Sequence, residues 1–441
     1  MTVQPTASQP LNDVRVLAIE QYGAGPFATM VLADLGAEVI KIEVPGRGDI
    51  GRAVPPWAGD DDSLFFQSLN RGKRSVALDL KDPRGRTLFT RLVARSDAVF
   101  SNARGTSAKS LAITYDDLKE HNAAIVCAFL TGFGREGPRA DQPAYDYIIQ
   151  AMSGMVALGG EPGGPPARAG VSVVDFSAGL AAAVALLAGV HRARATGVGG
   201  DLDTSLLATA LNLTNYVASW VLSRGYHPER LPRGAHPSIV PSQLFEAADG
   251  WLMVMCQTDA FFDELAARLA VPELRDERYA TMVGRFEHKG DLLDLLAETF
   301  RRESVAHWLQ LLEGGVPVAP VNDLAQALAD PQVAAQQLIL EFEHEQFGRV
   351  RQLAGPVRPS RAPPPARRGP RLGEDSRAVL TDLVGLRGEE FEDLVAAGVV
   401  QQANEDGERL GAREISGREA RDAVGSAGVH AQHDDTEVQG S

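Results

Sequence analysis

The strongest constraint on the fold lies in the first thirty residues of recognisable pattern. VRVLAI at 14–19, apolar but for Arg15, reads as a short buried strand, and GAGP at 23–26 breaks it. The apolar-periodic run FATMVLADLG follows and stops at Gly36, after which EVIKIE at 38–43 returns to strand character. Strand, glycine turn, helix and strand in that order form a βαβ unit, which requires a parallel sheet with helices packed on its faces. The turn carries two glycines two apart, with Pro26 next, and lacks the third glycine of a dinucleotide fingerprint. Exposed N–H groups at a helix start still suit a phosphate, an amide or a carboxylate.

The alternation continues. SVALDL at 75–80 and SDAVFSN at 96–102 flank the helical pattern GRTLFTRLVAR, and AAIVCAFLTGFG at 123–134 adds another buried strand. A glycine- and proline-rich stretch occupies 159–170, and the helical run FSAGLAAAVALLAGVHRARATG ends at Gly197. A further long helix is expected over 204–223. WLMVMC at 251–256 reads as a strand, 259–313 as helices, VPVAPV at 316–321 as a strand, and 322–333 as a short helix capped by Asn322 or Asp323. The expected class is therefore α/β, with a large parallel-sheet, Rossmann-like domain and a smaller α+β domain. The expected boundaries are 1–200 for the N-terminal part of the large domain and 201–240 for a linker helix and loop. The small domain takes 241–345, the return linker and C-terminal part of the large domain 346–401, and a flexible polar tail 402–441.

Composition narrows the function. The chain has 43 Lys plus Arg against 58 Asp plus Glu, a formal charge of -15, which argues against a nucleic-acid partner. Its most apolar stretch, from about Gly179 to Val190, is shorter than a membrane span before His191 and Arg192 interrupt it, so no membrane association is expected. Cys127 and Cys256 are far apart and sit in apolar runs, which predicts buried free thiols and a cytoplasmic setting. The nine histidines are scattered, with no HExxH and no cysteine pair, and no GxSxG elbow is present, so metal and serine catalysis are disfavoured. Two acids stand out. Asp175, in AGVSVVDFSAGLAAA, precedes the apolar helix, where its simplest role is an N-cap; a partly desolvated carboxylate there is also a competent nucleophile. Asp146, in PAYDYIIQAMSG, reads as an acid beside a helix.

Across about residues 12–385 the chain resembles the family III CoA-transferases of the CaiB/BaiF type, which include formyl-CoA, carnitine and bile-acid CoA-transferases. The resemblance rests on VRVLAIEQYGAGPFATMVLADLGAEVIKIEVPGRGD, LNRGKRSVALDLK, TGFGREGP followed by YDYIIQAMSG, VVDFSAGLAAAVALLAG, ADGWLMVMC and GVPVAPVNDLAQALADPQV. It implies that Asp175 attacks an acyl-CoA thioester to give an aspartyl anhydride, then an aspartyl-CoA thioester from which the acceptor acid retrieves CoA. Asp146 falls where transferases carry an acid. In the related 2-methylacyl-CoA racemases a Gly-His-Asp stretch matches 145–147; here Tyr145, Asp146 and Tyr147 lack the histidine base, which favours transfer over racemisation. A catalytically inactive CoA-binding dimer is the remaining alternative. For CoA itself the resemblance points to Gln21, Gly23, Ala24, Lys73, Arg74, Asn102 and Arg104, with Arg47 and Lys109 as further cations. It implies no tightly bound cofactor, CoA as substrate, a lid at 233–243 near His236, and an interlocked homodimer.

Overall fold

A computed structural model describes residues 9–58, 62–357, 367–403 and 409–410. The chain divides into two units, the first drawn from Met1–Tyr145, Val173–Thr209 and Gln337–Ser441, the second from Asp146–Ser172 and Ala210–Gln336.

The first unit is built on six parallel strands: β1 (Arg15–Ile19), β2 (Glu38–Glu43), β3 (Arg74–Leu78), β4 (Ala98–Ser101), β5 (Val126–Thr131) and β6 (Gly200–Ser205). Their spatial order is β3-β2-β1-β4-β5-β6, the doubly wound arrangement whose direction of winding reverses at β1. Helix α1 (Ala24–Asp34) joins β1 to β2, α2 (Pro83–Val93) joins β3 to β4, and α3 (Val173–Thr196) leads into β6. Buried strand residues such as Leu17, Ile40, Val76, Val99 and Cys127 share one core cluster with Leu88, Phe89 and Leu92 of α2, as strands covered on both faces require. Both cysteines are free and buried.

Strand β6 was not foreseen. GDLDTS has the polar alternation of an edge, and its outward acids Asp201 and Asp203 pair with Arg135 at 2.8 Å each. The single helix expected over 204–223 is instead the end of β6, Leu206–Leu213 and Asn215–Arg224, broken where Asn215 takes φ 22°. Past Gln337 the extended stretch forms a hairpin, Ile339–His344 with Gly348–Leu353. Helices α4 (Ser376–Val384) and α5 (Gly388–Ala396) then lead to β7 (Val400–Ala403), which pairs antiparallel with β3, and to β8 (Arg409–Leu410) beside it. The expected flexible tail thus loses residues 402–403 and 409–410 to strands, and its remainder lies outside the described residues, as does most of the proline-rich part of the return linker.

Helix α3 is 24 residues long and, by length and composition alone, apolar enough to cross a membrane, because the helix begins at Val173, before the apolar run. Its inner face, including Val174, Ala178, Ala182, Leu186 and Val190, is buried. Gly179 allows close approach to α1: a Cβ there would meet the Ala24 carbonyl oxygen at 2.9 Å and Phe27 at 3.0 Å. Phe27 and Phe176 pack across the same seam at 4.8 Å.

The second unit has a three-stranded antiparallel sheet, Ser242–Glu246, Trp251–Met255 and Val318–Pro320, with the middle strand central. Helices Asp259–Leu269, Lys289–Phe300 and Val305–Leu312 pack on it through Phe262, Leu265, Leu296, Phe300 and Trp308. The short helix Leu324–Leu328 is capped by Asp323, whose carboxylate accepts from the Gln326 N–H at 2.8 Å.

Candidate active site

Six parallel strands place all their carboxyl ends on one side of the sheet, and a cavity of about 860 Å³ opens there. Its walls come from the segments that follow the strands: Glu20–Ala24 after β1, Glu43–Asp49 after β2, Asp79–Lys81 after β3, Asn102–Arg104 after β4, Gly132 after β5 and Leu206 after β6. Asp175 stands in the same wall.

The β1 turn is held from three sides. The Asn102 side chain accepts from the Gln21 N–H at 2.9 Å and donates to the Gln21 carbonyl at 2.8 Å, bridging β1 and β4 where the winding reverses. The Asp49 carboxylate accepts from the Tyr22 N–H at 2.9 Å, and Lys41 donates to the Glu20 carbonyl at 3.1 Å. Tyr22 itself sits at φ 71°, a left-handed backbone that costs a side-chain-bearing residue roughly 1 to 3 kcal/mol. Gly25 allows Asn102 to approach, since a Cβ there would stand 2.7 Å from the Asn102 Cγ.

Asp175 is the third residue of α3, which corrects the expected N-cap position: the helix starts at Val173, so the carboxylate rides inside the first turn, near the positive end of the helix dipole. It is buried, with 8% of its surface exposed. Gly23 lies against it, and a Cβ on Gly23 would come within 2.9 Å of its Oδ2.

Beneath the β1 turn lies a buried charge network that the sequence reading missed. Lys73 donates to Glu20 at 2.7 Å, to the Pro26 carbonyl at 2.9 Å and to Asn70 at 2.9 Å; Lys41 pairs with Asp49 at 2.8 Å; and Arg52 pairs with Glu43 at 2.8 Å. Burial, partly offset by Glu20, pulls the Lys73 amine down to about 8. For Glu43 burial acts upward, but the Arg52 charge and hydrogen bonds outweigh it and hold the carboxyl down at about 2. Because that folded value lies below the unfolded one, Glu43 adds stability that is complete above about pH 4.5 and lost as pH falls through about 2. Urea unfolding is expected to show a loss of about 3 kcal/mol from this group over that interval. A Glu43→Gln variant should show a correspondingly flatter acid limb, and an unchanged limb would exclude the assignment.

The predicted CoA contacts separate into two groups. Gln21, Gly23, Ala24, Arg47, Asn102 and Arg104 line the cavity with Asp175. Lys73, Arg74 and Lys109 do not. Lys73 is sealed in the network just described, and Arg74 is engaged by Glu38 at 2.7 Å and Asp375 at 3.4 Å. Lys109 is exposed on the short helix Ser107–Ser110, of which Ser107 reaches the cavity. Lys81 also lines the cavity and was missed, because it directly follows the run SVALDL and reads as the trailing end of a strand. Arg47, Lys81 and Arg104 are exposed, and none of the three forms an ion pair among the described residues. Tyr22 and Tyr145 add an edge-on aromatic pair to the wall, with ring centres 5.8 Å apart.

Asp146 belongs to the second unit. It opens the helix Asp146–Met152, is buried, and accepts from the Gln150 side chain at 2.5 Å; Gln150 in turn accepts from the Ala169 N–H at 2.9 Å. In the 233–243 loop, His236 Nδ1 accepts from the backbone N–H groups of Ser238 and Ile239 at 3.1 and 3.0 Å, and burial pushes the imidazole below its ordinary value. His236 therefore ties its own loop together. Among the described residues no group of three or more His, Cys, Asp or Glu could hold a metal ion.

A doubly wound sheet with unpaired cations and a carboxylate at the carboxyl ends of its strands forms an α/β site suited to an anionic ligand. Residues 11–376 match the profile described as CoA-transferase family III. The succinyl-CoA:glutarate CoA-transferase of Homo sapiens is 35% identical over 403 residues, covering 89% of this chain and 90% of that one. The succinate–glutarate CoA-transferase of Agrobacterium fabrum is 36% identical over 393 residues, covering 87% and 98%. Among solved structures, a CAIB/BAIF family protein from Brucella suis superposes with a TM-score of 0.73 at 33% identity, covering 85% of this chain and 100% of that one. The chain belongs to CoA-transferase family III, and it is an enzyme that moves CoA between an acyl-CoA and a carboxylic acid.

Proposed function

We propose that Asp175 is the nucleophile of this transfer and that the acceptor is a short dicarboxylic acid. The carboxylate attacks the donor thioester carbonyl and expels CoA thiolate, leaving an aspartyl acyl anhydride. The thiolate then attacks the aspartyl carbonyl, which releases the donor acid and forms an aspartyl-CoA thioester. The acceptor carboxylate attacks that thioester and expels CoA thiolate again; the thiolate takes the acceptor's acyl group from the second anhydride and frees Asp175. Each step exchanges one activated acyl bond for another, which an ordinary serine ester would not sustain. The observation that carries this reading is the Asp175 carboxylate, buried in the cavity wall within the first turn of α3 and pressed by Gly23. With the Gln21 and Tyr22 N–H groups taken by Asn102 and Asp49, the backbone N–H groups of Gly23 and Ala24 at the start of α1 are the natural oxyanion donors. Asp146 is proposed as the second acid, orienting the acceptor.

The dicarboxylate proposal draws on the relatives: beside the two glutarate enzymes, the succinyl-CoA:mesaconate CoA-transferase of Haloarcula hispanica is 34% identical over 395 residues. The test is a mass-spectrometric panel of acyl-CoA donors against mono- and dicarboxylic acids. Preferential transfer to monocarboxylic acids would exclude the acceptor class.

Arg47, Lys81 and Arg104 are proposed to meet the phosphates of CoA. Lys81→Ala is expected to raise KM for the acyl-CoA about 5- to 10-fold with kcat nearly unchanged, an effect that shrinks at high salt as charges are screened. A fall in kcat with constant KM would remove Lys81 from the binding role.

We further propose the interlocked homodimer, with 346–401 returning the chain to the large domain, and a cytoplasmic setting in keeping with two free thiols. Apolar side chains left on the surface support the dimer: Leu180 and Val184 on α3, and separately Tyr216, Val221 and Leu222 on Asn215–Arg224. Light scattering should give twice the mass of one chain, and Leu222→Arg should weaken the assembly; a monomeric parent protein at micromolar concentration would refute it.

A further inference from the structure

The charge network does more than fill space under the β1 turn. Lys41 and Asp49 pair at 2.8 Å with both side chains sealed from solvent, Asp49 at the cavity wall and Lys41 behind it. Each grips the backbone of the turn. Lys41 donates to the Glu20 carbonyl at 3.1 Å, and Asp49 Oδ1 accepts from the Tyr22 N–H at 2.9 Å and from Gly51 N–H at 2.7 Å. Between them Asn102 holds both backbone groups of Gln21. Three consecutive residues are thus fixed by three side chains, and the residue that follows is Gly23, which faces Asp175 Oδ2.

Tyr22 is the informative position. A tyrosine at φ 71° is disfavoured by its own Cβ, and such a conformation persists only where its surroundings over-determine it. A glycine at 22 would adopt this backbone freely, yet the chain keeps an aromatic that lines the cavity and contacts Phe65 and Tyr145. The turn therefore needs something outside itself to hold its shape.

We propose that Lys41 and Asp49 are positioning residues for the transfer reaction: the pair locks Tyr22 in its left-handed backbone and thereby fixes where Gly23 meets the Asp175 carboxylate. This rests on the reading of Asp175 as nucleophile. The pair acts on the chemical step through the β1 turn; of the cations proposed to meet the phosphates, Lys81 and Arg104 stand on other segments of the cavity wall, and Arg47 lies two residues before Asp49.

The test uses the full chain with Lys41→Met and Asp49→Leu combined, which removes both charges together and leaves neither buried without its partner. The expected result is a kcat lowered at least about 30-fold, KM for acyl-CoA within about 3-fold, and calorimetric CoA binding retained. Adding Tyr22→Gly to that variant should recover kcat about 10-fold, since glycine takes the left-handed backbone unaided. Loss of overall structure would not be repaired by this change. A kcat within about 3-fold of the parent, or a deficit that Tyr22→Gly leaves untouched, overturns the proposal. Should the double variant not fold, Asp49→Asn, a weaker acceptor, takes its place: its kcat deficit must likewise be relieved by Tyr22→Gly, and no deficit or no relief overturns the proposal. Asp175→Ala is assayed alongside. If it still transfers CoA, the nucleophile reading fails and this inference with it; if it is inactive while the pair variants keep full kcat, only the positioning proposal fails.

Discussion

Asp175→Ala is expected to lower kcat for CoA transfer by at least about 10⁴-fold while leaving CoA affinity within a few-fold of the parent. The reason is chemical: with no carboxylate there is no anhydride and no aspartyl-CoA thioester, and neither acyl exchange has an alternative route through the protein. Alanine is a good helix former, and the favourable charge lost near the helix N-terminus is worth about 0.3 to 1 kcal/mol, so the variant should still fold. Incubation with acyl-CoA followed by borohydride or hydroxylamine should mark a peptide containing Asp175 in the parent and leave it unmarked in the variant. Transfer that persists in Asp175→Ala would sink the nucleophile assignment.

The second large effect is expected from one methyl group. Gly23→Ala would place a Cβ 2.9 Å from Asp175 Oδ2, too close to be tolerated without a shift. Gly23 is not at positive φ, and the first atom in the way of an alanine Cβ is the end of a side chain. The carboxylate can swing aside, and the protein should fold with a thermal midpoint within a few degrees of the parent. The reaction depends on where that carboxylate points, and misplacement by about 1 Å costs on the order of 10²-fold in rate. The expected outcome is therefore a kcat about 100-fold lower with KM nearly unchanged. Gly179→Ala makes the contrast, since its Cβ would strike the Ala24 carbonyl and the Phe27 ring, and its cost should appear as lost stability. Full activity in Gly23→Ala would mean that the Gly23–Asp175 contact has no part in the chemistry.

Much of the sheet can be read from the chain because its strands are continuous Val- and Ile-rich runs and Gly36 stops α1 cleanly. Strand β6 escapes because an edge strand needs only one apolar face, and GDLDTS spends its other face on acids for Arg135. Asp175 is prominent as an acid set in an apolar run ahead of an apolar helix, although its place inside the first turn depends on where Val173 starts that helix. The fate of the lysines is the least legible part. In RGKRS both Lys73 and Arg74 look like surface charges fit for a phosphate, yet Glu20 reaches Lys73 from a distant part of the chain and, with Asn70 three residues back, encloses it. Lys81, one strand length further on, reaches the cavity instead. No local pattern distinguishes an amine that will be enclosed from one left free, because the enclosing carboxylate arrives through tertiary packing.

The sheet is finished by the end of the chain, and this has a consequence in time. Gln401, in β7, accepts from the Gly46 N–H at 2.6 Å, beside the Arg47 that lines the cavity, and the Asp375 carboxylate accepts from the Ser75 N–H at 2.9 Å. During synthesis the ribosome delivers the β1 turn, Asp49 and Asp175 long before either of those clasps. A nascent chain can pair its first strands early and tie the Arg47 loop through Lys41 to Asp49 and the Gly48 N–H to the Val44 carbonyl, but the clasp from Gln401 to Gly46 waits until about the four-hundredth residue has emerged. A ribosome-bound chain stalled before Gln401 should therefore hold the central sheet and the β1 turn while the Arg47 loop still lacks that last clasp.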